Sequence, residues 1–331
     1  MRRRHLLAAG IAAIAAMPLA AAQAEELAFG VISTESSTNL KADWEPFLAD
    51  MGKAIGMPVR GFYATDYASV VEAMRFNKVQ LAWFGNASAI QAVDRADGEV
   101  FVQSVSVDGN AGYWSLLITH QDSAIHSLDD ILKSPGKYTF GNGDPNSTSG
   151  FLIPGYYVFA KNNIDPRKHF TRMLTANHET NMLAVVNKQV DVATNNTEEL
   201  ERFTTHNPDK AKLIRVIWKS PLIPLDPILW RKDLPAEVKQ KVKAFMVSYG
   251  VSGPDAEHGR AVLAKLRWAP FKESSNNQLL PVRQVALYRD KLKIQDDANL
   301  AADDKAARVA EIDGKLAALA REMDQAGVKT N

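Results

Sequence analysis

Three consecutive hydroxyl residues, Ser147, Thr148 and Ser149, are the side chains whose types and spacing most strongly indicate chemistry in this sequence. They lie in the polar stretch 143–150, between a strand-like segment at 137–142 and a helical pattern. The first N–H groups of a helix have no partner within the helix and lie at the positive end of its dipole, so they bind anions without lysine or arginine. The alternative is an ordinary helix cap with surplus hydroxyls.

Five other side chains lie at predicted strand ends and helix starts, where α/β sheets present ligands. They are Tyr67, Tyr113, His178, Glu198 and Asp226. Each also has a structural alternative. The tyrosines can pack a domain seam, the histidine can cap a helix, and the two acids can complement a helix dipole or open a turn.

The segment 195–199 is one of these strand ends. If Asn196 caps the following helix, Glu199 stands at the third helical position and completes a box-like cap. Glu198 then has no structural duty, and it becomes a candidate for ligand binding.

Motifs that would indicate catalysis or metal binding are missing from the sequence. Met182 occupies the position where the zinc-protease pattern H-E-x-x-H needs its second histidine. The stretch 143–150 has no Gly-Lys-Ser/Thr of a nucleotide-binding P-loop, and there is no G-x-S-x-G elbow or cysteine nucleophile. The seven histidines do not cluster as metal ligands do. A binding protein without cofactor or metal is therefore favoured over an enzyme.

The first 24 residues have the pattern of a cleavable secretory signal peptide. Three arginines at 2–4 precede an apolar run at 6–22, and Ala22-Gln23-Ala24 provides the small-residue cleavage site. We expect cleavage after Ala24. A weak twin-arginine pattern leaves the export route open. A membrane anchor is the competing interpretation, but Gly10 and Pro18 interrupt a run that is already short for a span.

Composition restricts the function further. The leader contains three arginines and no acidic residue, so its removal changes the formal charge of the chain from +1 to −2. A nucleic-acid-binding protein would normally carry a basic excess. The chain has no cysteine, which excludes disulfides and a lipid-modified cysteine. The remaining length predicts about two domains.

The apolar pattern predicts two successive α/β units with mostly parallel sheets. Strands are expected at 27–32, 58–64, 81–84 and 101–107, and again at 137–142, 190–195 and 213–218. The proline-rich stretch 221–230 reads as a crossing segment that lies outside any sheet, because proline lacks a backbone donor. Helices are expected at 235–249, 256–266 and 276–292.

The C-terminal tail has a helical apolar repeat over little more than two heptads. Its members are Val309, Ile312, Leu316, Leu319 and Met323. The repeat predicts either docking on the body of the chain or a homodimer through this helix. Gly314 and the shortness of the run favour docking.

Four blocks of sequence, taken together, resemble the periplasmic phosphonate-binding component of bacterial phosphonate ABC importers. The blocks are 143–152, 178–185, 190–198 and 220–227, and the likeness extends over about 27–266. The resemblance implies an α/β type II periplasmic-binding-protein fold, with two lobes joined by two crossing segments and a ligand cleft between them. Lobe one would comprise 25–117 plus 225–331 and lobe two 118–224, with crossings near 115–119 and 227–231.

The resemblance also implies a role for each candidate residue. Ser147, Thr148 and Ser149 would bind the phosphonate group together with Tyr67, Tyr113 and His178, while Glu198 and Asp226 would receive the amino group of 2-aminoethylphosphonate. Elementary electrostatics supports the last assignment, because two carboxylates beside a bound phosphonate are unfavourable unless a cation lies between them.

The implied protein works in the periplasm and delivers its ligand to an ABC permease and its ATPase. Three alternatives stay open from the sequence. One is a binder of phosphite, phosphate or simple alkylphosphonates that uses the same hydroxyl cup. The others are an exported phosphonate or phosphoester hydrolase and a sensory subunit that reports to a receptor.

Overall fold

The computed structural model describes residues 26–328, so the predicted signal peptide lies outside the described residues. The strands are β1 Leu27–Val31, β2 Val59–Tyr63, β3 Leu81–Trp83, β4 Gly98–Ser106, β5 Gly112–Tyr113, β6 Ser115–His120, β7 Thr139–Asn142, β8 Arg172–Thr175, β9 Val192–Asn196, β10 Ile214–Lys219, β11 Ile223–Pro224, β12 Pro227–Arg231 and β13 Trp268–Glu273.

The α-helices are α1 Ser37–Ile55, α2 Tyr67–Arg75, α3 Asn86–Arg95, α4 Leu128–Leu132, α5 Pro166–His169, α6 His178–Val186, α7 Thr197–His206, α8 Pro208–Ala211, α9 Ala236–Ser248, α10 Ala256–Lys265, α11 Leu280–Asp296 and α12 Ala302–Ala326. Thr148–Leu152 and Gly155–Phe159 are π-helical, and Ala160–Asn162 and Asn276–Leu279 are 3-10 turns. The predicted helices at 235–249, 256–266 and 276–292 are confirmed to within a few residues, whereas β13 and α3 were not predicted.

The first lobe is built on a six-stranded sheet with the order β13-β4-β12-β3-β1-β2. Its helix α1 begins at the cap Ser36 and ends at Gly56, whose φ of +75° suits glycine. Apolar residues spaced three and four apart on α1 bury one face, where Trp44 and Phe47 pack on Phe29 of β1. This aromatic core holds the strand ends that face the second lobe.

The second lobe is built on a five-stranded sheet with the order β10-β6-β9-β7-β8. Strand β7 pairs in parallel with β8 and β9, whereas β6 and β10 run antiparallel to their neighbours. In the first lobe β12, β4 and β13 are likewise antiparallel. The prediction of mostly parallel sheets was therefore wrong, because both sheets are mixed.

Strands β5 and β11 form a separate two-stranded ribbon. In the sequence, β5 comes where the chain passes from the first sheet to the second, and β11 comes where it returns. Tyr113 is paired with Ile223 in this ribbon. The predicted crossings at 115–119 and 227–231 were displaced, because β6 lies in the second sheet and β12 in the first. The predicted boundary between residues 117 and 118 divides β6, and the residue limits of the lobes stay a prediction.

Strand β12 contradicts the expectation that the proline-rich stretch lies outside any sheet. It pairs with both β3 and β4 inside the six-stranded sheet. Pro227 is tolerated because it is the first residue of the strand, where its carbonyl accepts the N–H of Phe84 at 3.3 Å and no donor is needed.

The two lobes are in contact across the cleft, so the conformation is closed. The N–H of Tyr67 donates to Asp144 Oδ2 at 3.1 Å, and the N–H of Ala87 donates to Thr148 Oγ1 at 2.8 Å. In each bond the donor belongs to the first lobe and the acceptor to the second. Closure brings the starts of α2 and α3 against the hydroxyl stretch.

Helix α12 docks on the body of its own chain, as the sequence favoured. Its residues Ile312, Leu316, Leu319 and Met323 are buried, and the last two pack with Leu280 of α11. Pairing of this helix with a second copy stays a prediction. No helix within residues 26–328 is long and apolar enough to cross a membrane.

Candidate functional site

The start of the helical segment at 148 forms a cup of backbone N–H groups and hydroxyls. Ser147 is the N-cap, and its Oγ accepts the N–H of Gly150 at 2.9 Å. The N–H of Gly143 donates to the carbonyl of Gly150 at 3.1 Å, which folds the preceding loop onto the helix start. A Cβ on Gly143 would lie 2.6 Å from the backbone of Gly150, so only glycine permits this approach.

The hydroxyls of Thr148 and Ser149 both accept hydrogen bonds from neighbouring elements. Thr148 Oγ1 accepts from the N–H of Ala87, and Ser149 Oγ accepts from Asn196 Nδ2 at 3.2 Å. A hydroxyl that accepts still has its own proton to donate. The hydroxyl protons of the cup are therefore available to an anion. The hydroxyl oxygens of Thr148 and Ser149 at the same time bind the cup to both lobes.

Tyr67 and Tyr113 bring phenol groups to the cup from the first lobe and from the β5–β11 ribbon. Tyr67 opens α2 and Tyr113 ends β5, and both side chains are buried. Burial raises the pKa of both phenols well above the usual 10, although hydrogen bonds with Ser147 and Ser149, respectively, oppose the shift. Both groups are neutral donors at physiological pH.

His178 opens α6, and its protonation is set by Asn196. The Oδ1 of Asn196 accepts the N–H of Glu199 at 2.8 Å, which assigns its Nδ2 as the donor toward His178 Nε2 at 3.2 Å. Nε2 is therefore the acceptor, and the proton of the neutral ring lies on Nδ1. Burial, reinforced by Arg202, lowers the pKa of His178 to about 3, so the ring is neutral. Nδ1 is buried without a hydrogen-bond partner among residues 26–328.

Asp226 lies beside the cup at the entry to β12. Its Oδ2 accepts from Trp83 Nε1 at 3.1 Å, while its Oδ1 is buried and has no hydrogen-bond partner among the described residues. Burial, followed by the charge of Glu198, raises the pKa of Asp226 well above its usual range. The side chains of Trp83 and Tyr113 oppose this rise in the pKa, and a cation at Oδ1 would oppose it further.

Glu198 is the second residue of α7 and is half-buried. Its Oε1 is out of contact with solvent and has no hydrogen-bond partner within the described part of the chain. Burial raises the pKa of this carboxyl, against the opposing charge of Arg202. Glu198 and Asp226 thus present two buried carboxyl oxygens without a hydrogen-bond partner among residues 26–328.

The cap at Asn196 is confirmed, but the box-like completion by Glu199 was wrong. The Glu199 carboxylate accepts from Arg202 Nη2 at 2.7 Å, and the N–H of Asn196 donates instead to Asn195 Oδ1. An arginine one turn further along the helix holds this carboxylate instead, because the guanidinium adds the attraction of a full positive charge to the hydrogen bond. Glu199 therefore belongs to an ion cluster rather than to the cap.

All eight predicted site residues lie in one connected cluster. Gly85 shows how closely its parts approach, since a Cβ there would lie 3.2 Å from Thr148 Oγ1 and 4.0 Å from Asp226 Oδ1. Sequence reasoning missed Trp83, Arg202 and Glu35. Trp83 lies near the end of a predicted strand, which could have indicated a site residue. Arg202 lies three residues after Glu199 on a predicted helix, and this spacing could have indicated an ion pair between them. Within residues 26–328 no group of three or more potential ligand side chains is placed to hold a metal ion.

If Asp226 receives an amino group, as the family resemblance implies, replacing Trp83 by phenylalanine is expected to weaken binding of an amino-bearing ligand about ten- to a hundredfold. The ring shape is largely kept, but Asp226 Oδ2 loses its donor, and a hydrogen bond to a charged group contributes about 1.5–3 kcal/mol. Calorimetric titration with 2-aminoethylphosphonate measures the loss. Trp230→Phe is the matched control, because its Nε1 donates to Glu99 outside this cluster. Equal losses in the two variants would contradict the role of Trp83.

Comparison with known proteins places the chain in a family. The family described as "ABC transporter, phosphonate, periplasmic substrate-binding protein" matches residues 29–279. The chain is 54% identical over 302 residues to the phosphonates-binding periplasmic protein of Escherichia coli K12, covering 90% of this chain and 88% of that protein. It is 27% identical over 231 residues to the phosphate-import protein PhnD of Mycolicibacterium smegmatis, covering 67% of this chain and 71% of that protein.

Solved structures confirm the fold. The binding protein of an ABC phosphonate transporter from Pseudomonas aeruginosa superposes with a TM-score of 0.89 at 52% identity, covering 92% of this chain and 99% of that one. The alkanesulfonate-binding protein SsuA from Xanthomonas axonopodis pv. citri shares the fold alone, with a TM-score of 0.54 at 14% identity and coverage of 79% of this chain and 91% of that one. The predicted type II periplasmic-binding-protein fold is thus confirmed. The chain belongs to the periplasmic substrate-binding proteins of phosphonate ABC transporters, a family without enzymatic activity.

Proposed function

We propose that this protein captures 2-aminoethylphosphonate and delivers it to its ABC permease. The observation that carries the proposal is a pair of buried carboxyl oxygens, on Glu198 and Asp226, that have no hydrogen-bond partner among residues 26–328 and lie in the same cluster as a helix-start anion cup. A zwitterion with a phosphonate at one end and an ammonium at the other fits both halves of that cluster.

The phosphonate end is assigned to the cup at 147–149. Backbone N–H groups and hydroxyls at the helix start donate to the phosphonate oxygens, and the helix dipole favours the negative charge. The neutral phenols of Tyr67 and Tyr113 and the Nδ1–H of His178 supply further donors. A neutral histidine is appropriate here, because a hydrogen bond from Nδ1–H to the ligand satisfies a buried donor that has no partner among residues 26–328.

The amino end is assigned to Glu198 and Asp226. An ammonium between the two carboxylates supplies the charge that makes their burial favourable. Ethylphosphonate has the same carbon chain without the amine, so it leaves both carboxyl groups unpaired. An unpaired charged group costs about 1–3 kcal/mol or more, which corresponds to a preference for the amino ligand of roughly ten- to a few hundredfold.

Titration calorimetry on the mature chain tests the proposal. The panel consists of 2-aminoethylphosphonate, ethylphosphonate, methylphosphonate and phosphate. We expect the amino ligand to bind at least about tenfold more tightly than ethylphosphonate. Binding of ethylphosphonate or phosphate as tight as that of the amino ligand would exclude the proposed ligand.

A binder of phosphate, phosphite or simple alkylphosphonates is the second candidate. It is favoured by the raised pKa of Asp226 and Glu198, which follows first from burial, because a protonated carboxyl group can donate to an anion's oxygen. The M. smegmatis relative named as a phosphate-import protein is of the same kind. The panel distinguishes the two candidates directly.

Proton uptake provides an independent prediction. Closure over ethylphosphonate buries Asp226 and Glu198 without a cation, which raises the pKa of both carboxyls above the values of an open cleft. The bound state therefore takes up as much as about one proton, and ethylphosphonate affinity falls as pH rises through the raised pKa. An ammonium keeps the carboxylates charged, so this contribution is lost for 2-aminoethylphosphonate.

Calorimetry in two buffers of different ionisation enthalpy measures the proton count. Titration of the phosphonate group itself is common to wild type and to Asp226→Asn, so the difference between the two proteins isolates the carboxyl. Equal proton uptake by wild type and variant with ethylphosphonate would contradict the prediction.

Export and assembly complete the proposal. A signal peptide at 1–24 directs the chain to the periplasm, where the closed, loaded conformation is presented to the permease with its ATPase. N-terminal sequencing of the periplasmic protein is expected to begin at Glu25. A different start would contradict cleavage after Ala24.

A further inference from the structure

A buried ion cluster crosses the cleft next to the ammonium half of the site. Arg202 Nε lies 3.0 Å from Glu35 Oε1, and Arg202 Nη2 donates to Glu199 Oε2 at 2.7 Å. The three side chains are 8%, 4% and 1% exposed. Glu35 follows β1 of the first lobe, whereas Arg202 and Glu199 belong to α7 of the second lobe. The ion pair between Arg202 and Glu35 is therefore made across the two lobes.

A second carboxylate fastens the same loop of the first lobe. Glu179, the second residue of α6, accepts from the N–H of Ser36 at 2.8 Å and from Asn39 Nδ2 at 2.9 Å. The N–H of Glu179 donates in turn to the carbonyl of Thr34 at 3.3 Å. The loop between β1 and α1 is thus bound by the starts of both α6 and α7. These helices carry His178 and Glu198, the two site residues nearest to the contacts.

The cluster contains one guanidinium and two carboxyl groups, and burial raises the pKa of Glu199 to about 8, so a proton on Glu199 leaves Arg202 and Glu35 as the charged pair across the cleft. Burial lowers the pKa of Arg202, but the charges of Glu199 and Glu35 outweigh burial, so the net effect raises that pKa and the guanidinium stays charged. Opening the lobes separates Arg202 from Glu35, while Arg202 keeps its contact with Glu199 on the same helix. A buried pair contributes little to net stability but distinguishes strongly between conformations that make or break it.

We propose that Arg202 is a positioning residue: its ion pair with Glu35 latches the closed lobes and holds α7, and with it Glu198, at the ligand. The proposal rests on the proposed function only in naming Glu198 as a ligand contact. Because the latch forms after the ligand has entered, it slows dissociation and leaves association unchanged. It acts on any ligand that closes the cleft, with or without an amine.

Stopped-flow kinetics on the full mature chain tests the latch, with tryptophan fluorescence as the signal, since Trp83 bonds to a site residue. The ligands are 2-aminoethylphosphonate and ethylphosphonate. In Glu35→Gln we expect koff to rise about ten- to a hundredfold for both ligands while kon stays within about twofold. A role in folding alone would lower the melting temperature without this division between the two rate constants.

Glu201→Gln is the matched control. Glu201 also lies on α7 and pairs across the cleft with Arg267 at 3.0 Å, but its side chain is 41% exposed, so koff is expected to rise less than about threefold. Arg202→Lys is the second variant if Glu35→Gln does not fold. It keeps the charge but cannot span both carboxylates, so an intermediate rise in koff is expected.

The outcomes separate the latch from the identity of the ligand. Equal increases in koff for both ligands support the latch, even if wild type shows no preference for the amino ligand and the proposed function fails. An unchanged koff in a folded Glu35→Gln, or an increase confined to one ligand, would overturn the latch.

Discussion

Asp226→Asn is expected to weaken binding of 2-aminoethylphosphonate by roughly 100-fold and to leave binding of ethylphosphonate equal to that of wild type or up to about tenfold tighter, because the unpaired charge is removed. The variant keeps the shape of the side chain and an oxygen that can accept from Trp83 Nε1. It removes the charge from Oδ1, the buried oxygen without a partner among residues 26–328. The ammonium then faces one carboxylate instead of two, whereas a ligand without an amine loses nothing.

The control for this variant is Asp209→Asn. Asp209 is paired with Lys212 on the surface of the second lobe, and its side chain is 92% exposed. Titration calorimetry of both variants with both ligands completes the comparison. A similar loss for the two ligands in Asp226→Asn would mean that Asp226 supports the site as a whole and does not receive an ammonium.

Gly143→Ala is expected to weaken binding of every phosphonate by about ten- to a hundredfold, because it disturbs the anion cup itself. The new Cβ would lie 2.6 Å from backbone atoms of Gly150, which cannot move aside as a flexible side chain can. The loop at 143–147 must shift away from the helix start, so the N–H donors no longer point at one anion position. Amino and simple ligands are affected alike, in contrast to Asp226→Asn.

The control for the glycine variant is Gly314→Ala, the same substitution on an open helix surface. No atom lies within 4 Å of a Cβ built on Gly314 of α12. We expect unchanged affinity and a free energy of unfolding that is equal or higher by up to about 1 kcal/mol, since alanine favours helix. A selective loss of one ligand class in Gly143→Ala would contradict an anion cup at 147–149.

Local patterns were sufficient to predict the elements that present the site. The hydroxyl run predicted the helix start at Ser147, and Asn196 stands as the cap where the sequence places it. These features depend on residues within one turn of each other, so they are visible in the sequence. The spacing of apolar residues likewise predicted α9 and α10.

The contacts between distant segments could not be predicted in this way. Arg202 and Glu35 are far apart in the chain and meet only because β1 and β9 end at the same cleft. Strand β12 was missed because prolines argue against a sheet in general, whereas the first position of a strand tolerates one. The apolar periodicity could not show that these distant site residues lie together. Only the family resemblance implied a common site.

A crystal structure of the mature protein saturated with 2-aminoethylphosphonate tests the central claim most directly, because it shows which end of the ligand each half of the cleft holds. We expect the phosphonate oxygens at the N–H groups and hydroxyls of 147–149, with the amino nitrogen within about 3.2 Å of Asp226 Oδ1 and Glu198 Oε1. A reversed ligand, or an amino group directed to solvent with both carboxyl oxygens unpaired, would contradict it.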